Sequence, residues 1–182
     1  MFKKIFKFTA WTVSLITVVA VVIIHILGNF YQVNDGVYRS GQLNKYNLEY
    51  YVQEYNIKTI INLRGKSKKD IYKDEISIAN KYNIKHIDYK LSNKVFLDYN
   101  KTSEIIQLLK DAKKPYLIHC AGGADRTSLV SALYQYEIAN KSIDEAKEEF
   151  SLLYGHAPFF RKHVIAMGDS FDNYVKNKIK EK

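Results

Sequence analysis

Tyr116-Leu117-Ile118-His119-Cys120-Ala121-Gly122-Gly123-Ala124-Asp125-Arg126-Thr127 reads as a buried strand entered through Pro115, then a short loop, then the start of a helix. A loop of this length between strand and helix can curl until successive backbone N–H groups converge on one point at the helix N-terminus, which makes an anion cradle. Gly122 and Gly123 supply the backbone freedom such a curl needs. The same positive potential favours the thiolate, the nucleophilic form of a cysteine placed at the base of the loop. Arg126 would close the ring as a bidentate clamp on two anion oxygens.

Outward from this stretch, short apolar runs alternate with amphipathic ones. Val37-Tyr38 reads as a first strand, Asn44 as the N-cap of a helix through Tyr55, and Thr59 to Leu63 as a second strand followed by an Arg64-Gly65-Lys66 loop. A helix is expected over Asp70 to Tyr82 with Ile71, Ile78 and Ala79 inward, a strand over Ile84 to Tyr89, and a helix over Thr102 to Ala112. Beyond Cys120 the chain reads as helical to its end. Ser142 and Glu145 have capping-box spacing before a helix that stops near Gly155, where His156 is expected to end the helix rather than approach the cysteine, and Phe159 to Lys178 forms the last helix. Such alternation predicts an α/β fold with a small, mainly parallel central sheet flanked by helices on both faces, and in such sheets sites gather at the strand carboxyl ends.

Composition narrows the class. With 182 residues, 47% of them hydrophobic, only 8 Gly and 2 Pro and a single cysteine, the chain is neither disordered, collagenous nor a disulfide scaffold. Its net charge of +9 rests on 28 Lys and Arg, of which only Arg39, Arg64, Arg126 and Arg161 are arginine. Lysine serves wherever a cation is merely solvated, so the surviving arginines are candidates for positions that need a planar, forked donor. Arg39, Arg64 and Arg126 all fall just past predicted strands.

Phe8 to Leu27 carries no charge and would make roughly 30 Å of helix, enough to span a bilayer. Its length argues for an uncleaved signal anchor over a cleaved peptide. Lys3, Lys4 and Lys7 before it place the N-terminus in the cytoplasm and the remainder across the membrane. The expected organisation is therefore a stub and transmembrane helix over 1–29 and one domain over 30–182.

His119-Cys120-x-x-Gly123-x-x-Arg126-Thr127 resembles the signature of the cysteine-dependent protein tyrosine and dual-specificity phosphatases. Val37-Tyr38-Arg39-Ser40-Gly41-Gln42 and Ile60-Ile61-Asn62-Leu63-Arg64 are similar to an atypical, bacterial dual-specificity-like branch. The resemblance spans about Val37 to Tyr174 and implies a three-layer phosphatase fold working without metal or cofactor. It also implies that Cys120 is the nucleophile, that Arg126 binds phosphate and that Thr127 assists the thiolate as leaving group. Substrate would meet Ala121, Gly122, Gly123, Ala124 and Thr127 in the loop, with Arg64 and Arg39 beside it.

For the general acid, Asp125 occupies the place used by the myotubularin-like branch; Asp98 and Asp88 are the alternatives. Two departures stand out: Ala121 replaces the Lys common in inositide phosphatases, and Ser128 replaces the glycine that commonly follows Arg-Thr. The functions implied are hydrolysis of phosphotyrosine-type phosphomonoesters, of a membrane phospholipid or of a cell-envelope phosphate, all through a cysteinyl-phosphate. A tethered pseudophosphatase that only binds phosphate is the remaining reading. The partners expected are a phosphorylated protein or phospholipid and the membrane, with no nucleic acid.

Overall fold

The computed structural model describes residues 11, 12, 14, 15, 18, 19, 22 and 27–181. Most of the segment expected to cross a membrane lies outside these residues. Among those described, no helix is long and apolar enough to cross a membrane.

The strands are β1 (Tyr31–Asn34), β2 (Val37–Ser40), β3 (Thr59–Asn62), β4 (Lys85–Asp88) and β5 (Tyr116–His119). They form one sheet in the order β1-β2-β5-β3-β4. β2, β5, β3 and β4 run parallel and β1 is antiparallel to β2, so the sheet is mixed. The antiparallel β1 is an addition to the sequence reading. It turns into β2 through Asp35-Gly36, with Gly36 at φ +68°, the backbone region that glycine enters without a Cβ penalty.

The helices are α1 (Lys45–Glu54), α2 (Asp70–Lys81), α3 (Tyr99–Asp111), α4 (Arg126–Glu137), α5 (Ile143–Lys147) and α6 (Ile165–Lys180). Local chemistry sets most of their ends. Asn44 accepts from the amides of Tyr46 and Asn47, and Ser142 and Glu145 complete the expected capping box. Asn56, Asn83 and Asn140 take the left-handed conformation just beyond α1, α2 and α4, a place more often filled by glycine. There Ile57 and Ile84 donate back to Val52 and Ala79, satisfying carbonyls the helix leaves unpaired.

Three predicted boundaries move: α5 ends at Lys147 and gives way to two short 3-10 turns, Glu148–Phe150 and Leu152–Tyr154, where one helix to near Gly155 is expected, and the starts of α3 and α6 shift. α3 starts at Tyr99 because Asp98 caps it, accepting from the Lys101 amide at 2.8 Å. α6 starts at Ile165 rather than Phe159, preceded by a 3-10 turn over Lys162–Val164.

Side chains alternate across the strands and build two cores. Tyr38, Ile60 and Leu117 pack with Leu48, Val52, Ile78 and Ala79 under α1 and α2. Val37, Ile61, Tyr116 and Ile118 pack against α3, α4 and α6 on the other face. α4 is the central helix: every residue from Thr127 to Tyr134 is buried. The register aligns Ser40, His119, Asn62 and Asp88 in one row at the carboxyl edge of the sheet. Whatever follows that row shares one face of the molecule.

Candidate active site

Cys120 is the first residue past that row and Arg126 the first of α4; the five residues between them form the loop. The loop's carbonyls are all held from outside. Ala121 O accepts from the Gln42 amide at 2.9 Å, Gly122 O from Asn29 Nδ2 at 2.8 Å and Gly123 O from Arg39 at 2.7 Å, while Ala124 O accepts from the Ser128 hydroxyl. Since N–H and C=O of one peptide point in opposite directions, this turns the loop amides inward. The concave side is thus lined by unspent donors at a helix N-terminus, an arrangement that attracts an anion.

The two glycines are not equivalent. Gly123 sits at φ +73°, and a Cβ there would stand 2.7 Å from the Gly41 nitrogen and 2.9 Å from Asn29 Nδ2. At Gly122 a Cβ would meet nothing within 4 Å. The expectation that both glycines enable the curl therefore narrows to Gly123. Gly123→Ala is expected to cost at least about 2 kcal/mol of stability and Gly122→Ala under about 0.5 kcal/mol, as read by denaturant unfolding.

Cys120 is buried at the floor of the loop. Arg126 donates through one nitrogen to the carbonyls of Leu63 and Leu91, both at 3.3 Å. Its Nε is buried and without a hydrogen-bond partner. An orphaned guanidinium N–H carries a desolvation cost that an incoming anion would relieve. Thr127 is buried and its hydroxyl donates to the Ser40 carbonyl at 3.5 Å, with no bond to Cys120.

Arg39 corrects the sequence reading. It is fully buried, donating to the Gly123 carbonyl, the Ser128 hydroxyl at 2.9 Å, the Glu149 carbonyl at 3.1 Å and the Glu149 carboxylate, with its guanidinium 3.8 Å over the Tyr154 ring. It braces the loop through the Gly123 carbonyl and the Ser128 hydroxyl, while its Nε, like that of Arg126, is buried without a hydrogen-bond partner. Ser128 thereby gains a role that a glycine could not fill. Arg64 stands partly exposed at the end of β3 and donates to Gln42 Oε1 at 2.8 Å. Gln42 in turn donates to Glu75, whose other oxygen meets His86 at 2.7 Å and His119 at 3.2 Å. Burial would raise the Glu75 carboxyl, but the charges and bonds of His119 and His86 outweigh it and lower it to about 2. The pair fixes His119 beneath the loop.

Asp125 is a hub. Its buried carboxylate accepts from Asn93 at 3.1 Å, from His156 Nδ1 at 3.0 Å and from both ends of the Arg161 fork at 3.2 and 3.3 Å. Burial would raise this carboxyl, yet the bonds from His156 and Asn93 and the charges of Arg161 and His156 outweigh it and hold the group below the ordinary Asp value. Such a site is built for an ionised carboxylate, not for a resting proton donor, which runs against the expectation for Asp125. The alternatives are no freer. Asp98 caps α3, and Asp88 accepts from Asn62 at 2.9 Å and from Tyr72 at 2.7 Å. His156 likewise departs from its expected place, lying against Asp125 instead of only ending a helix.

Sequence reasoning did not single out Asn29, Glu75 or Glu149, whereas Ser92-Asn93 falls where the resemblance to dual-specificity phosphatases puts the general-acid loop. The scarcity of arginine did mark Arg161, whose fork grips Asp125 on both oxygens. Gly28 and Asn29, read as the end of the anchor, belong by contact to the domain: Gly28 O accepts from the Gly41 amide at 2.8 Å, and Asn29, besides holding Gly122 O, donates to Tyr154 O at 2.9 Å.

The sequence model of the tyrosine phosphatase family matches residues 24–181. No curated protein sequence matches the chain. Among solved structures the chain is similar to TpbA of P. aeruginosa, with 20% identity, a TM-score of 0.63 and coverage of 81% of this chain and 88% of that one. It is similar to the core catalytic domain of the PP-IP phosphatase SIW14 from S. cerevisiae, solved with citrate, at 19% identity, TM-score 0.63 and coverage of 84% and 91%. Tk-PTP, in a mutant form, matches at 13% identity and TM-score 0.59, over 82% of this chain and 97% of that one. At these identities the likeness is one of fold.

Proposed function

Because the chain belongs to the tyrosine phosphatase family, we propose that it hydrolyses phosphomonoesters of the phosphotyrosine or dual-specificity type through a cysteinyl-phosphate on the 120–126 loop. The observation that carries this reading is the loop itself: outward-held carbonyls, inward amides, Cys120 at the base and an unpartnered Arg126 Nε.

In the first step the Cys120 thiolate attacks phosphorus in line with the ester oxygen; the S–P bond forms, the P–O bond breaks, and the leaving oxygen takes a proton from solvent. The amides of Gly122 to Asp125 and the free edge of Arg126 would stabilise the equatorial oxygens, over which charge is spread in the transition state. In the second step water attacks phosphorus, the S–P bond breaks and inorganic phosphate leaves. An ionised Asp125 suits the second step, where a base accepts the proton of water; to donate in the first it would have to shed its partners and be protonated. Thr127 stays with the loop as a buried hydroxyl beside the thiolate's residue, and Arg64 is offered to the substrate from the rim. We further propose that residues 1–27 tether the domain to a membrane, with the catalytic face on the extracytoplasmic side.

The test is a comparison of leaving groups, run in the presence of a chelator. The wild-type chain is expected to hydrolyse an aryl phosphate. Asp125→Asn is expected to slow aryl and alkyl phosphates by similar factors and to cost about 2 kcal/mol of stability, since an amide cannot satisfy His156 and the Arg161 fork together. A loss confined to the alkyl phosphate would restore Asp125 as the proton donor of the first step.

A further inference from the structure

Three loops meet at Asp125 and Asn29, and each carries a pair of exposed apolar side chains. Val95 and Phe96 follow Asn93, at 54% and 48% exposure; Leu152 and Leu153 precede Tyr154, at 61% and 77%; Phe159 and Phe160 precede Arg161, at 60% and 83%. Large apolar side chains so exposed are ordinary when scattered, but pairs gathered on the loops around one site mark an interaction surface. Cations interleave with them: Lys94 beside Val95 and Lys162 after Arg161, both exposed. Phe159 and Phe160 pack on each other with ring centroids 4.5 Å apart and turn away from the core. Exposed aromatics with adjacent lysines suit the headgroup layer of an anionic bilayer, where rings enter the acyl boundary and ammonium groups meet phosphates.

The N-terminal segment says what covers this collar. The aliphatic run expected to span the bilayer ends at Leu27, whose carbonyl accepts from the Tyr51 hydroxyl at 3.1 Å, and two residues later Asn29 holds the loop carbonyl of Gly122. Two residues span at most about 7 Å of chain. A tether ending there leaves the loop no spacer by which to stand away from the bilayer.

We infer that the apolar collar of Val95, Phe96, Leu152, Leu153, Phe159 and Phe160 docks the loop onto the bilayer surface, so that the phosphomonoester it takes is borne on lipid at headgroup level. This rests on the phosphatase reading and the tether proposed above. It also accounts for exposing six large apolar side chains near a site whose own chemistry needs none of them.

The test uses the full chain in vesicles of phosphatidylcholine and phosphatidylglycerol containing phosphatidic acid. Trp11 is the only tryptophan, so Trp11→Phe combined with Phe160→Trp reports on the collar alone. Its fluorescence is expected to fall by at least half with lipids brominated near the headgroup and to resist aqueous iodide. Free quenching by iodide overturns the inference, and so does silence toward both quenchers, which would mean that the chain's own N-terminal segment covers the collar. In the same vesicles Phe159→Ser with Phe160→Ser is expected to lower phosphatidic acid turnover at least tenfold while soluble aryl phosphate turnover stays within twofold. Equal turnover of phosphatidic acid by variant and wild type overturns the inference. Lipid quenching without any phosphatase activity would leave the docking standing and defeat the phosphatase reading; an active aryl phosphatase with no lipid quenching does the reverse.

Discussion

Cys120→Ser is expected to remain folded and to lose turnover of every phosphomonoester by at least about a hundred-thousandfold, the scale on which a covalent mechanism fails without its nucleophile. Serine is nearly isosteric, and its hydroxyl would lie where the loop amides converge, so the usual cost of a buried polar group is largely met by new partners. The same variant is expected to keep binding inorganic phosphate or an oxyanion mimic, because the amides and Arg126 remain. Steady-state assays and isothermal titration on the two proteins check both halves. Retained turnover would remove Cys120 from the chemistry; lost anion binding would mean that the loop itself had collapsed.

Arg126→Lys is the second large effect. Lysine keeps the charge but replaces a planar fork by one point donor. The Arg126 bonds to Leu63 and Leu91 are long, at 3.3 Å, and its Nε has no partner, so little folding stability depends on them. The expected result is a fall in kcat/KM of about a thousandfold, or ~4 kcal/mol of transition-state stabilisation, with unfolding almost unchanged. A fall below tenfold would place the phosphate elsewhere.

Arg39→Lys separates the two arginines by role. Its guanidinium makes four internal bonds and stacks on Tyr154, so that substitution strikes stability as well as rate. From the sequence alone both arginines look like anion ligands, since each follows a strand. The difference lies in Glu149, 110 residues away from Arg39, and in the Ser128 hydroxyl; neither pairing leaves a trace in local pattern.

What was legible follows the range of the interaction. The 116–127 stretch, the Asn44 cap and the Ser142–Glu145 box depend on residues within a few positions of one another, and each stands where the sequence places it. β1 was missed because Tyr31-Gln32-Val33-Asn34 is only four residues long and half polar, too weak a pattern to stand out, although the Asp35-Gly36 turn that follows is a hairpin signal. The Asp125 hub draws Asn93, His156 and Arg161 from loops that have no periodicity to read. Asp98 shows the converse: a carboxylate weighed as an acid proves to be the cap that starts α3 earlier than the apolar spacing suggests.

The central claim is a phosphate bonded to Cys120 sulfur. Wild-type protein mixed with a phosphorus-labelled aryl phosphate, quenched within milliseconds and denatured, is expected to carry label on the peptide containing Cys120, stable to acid, with Cys120→Ser carrying none. Label on another residue, or turnover with no covalent phosphate at any quench time, would contradict it.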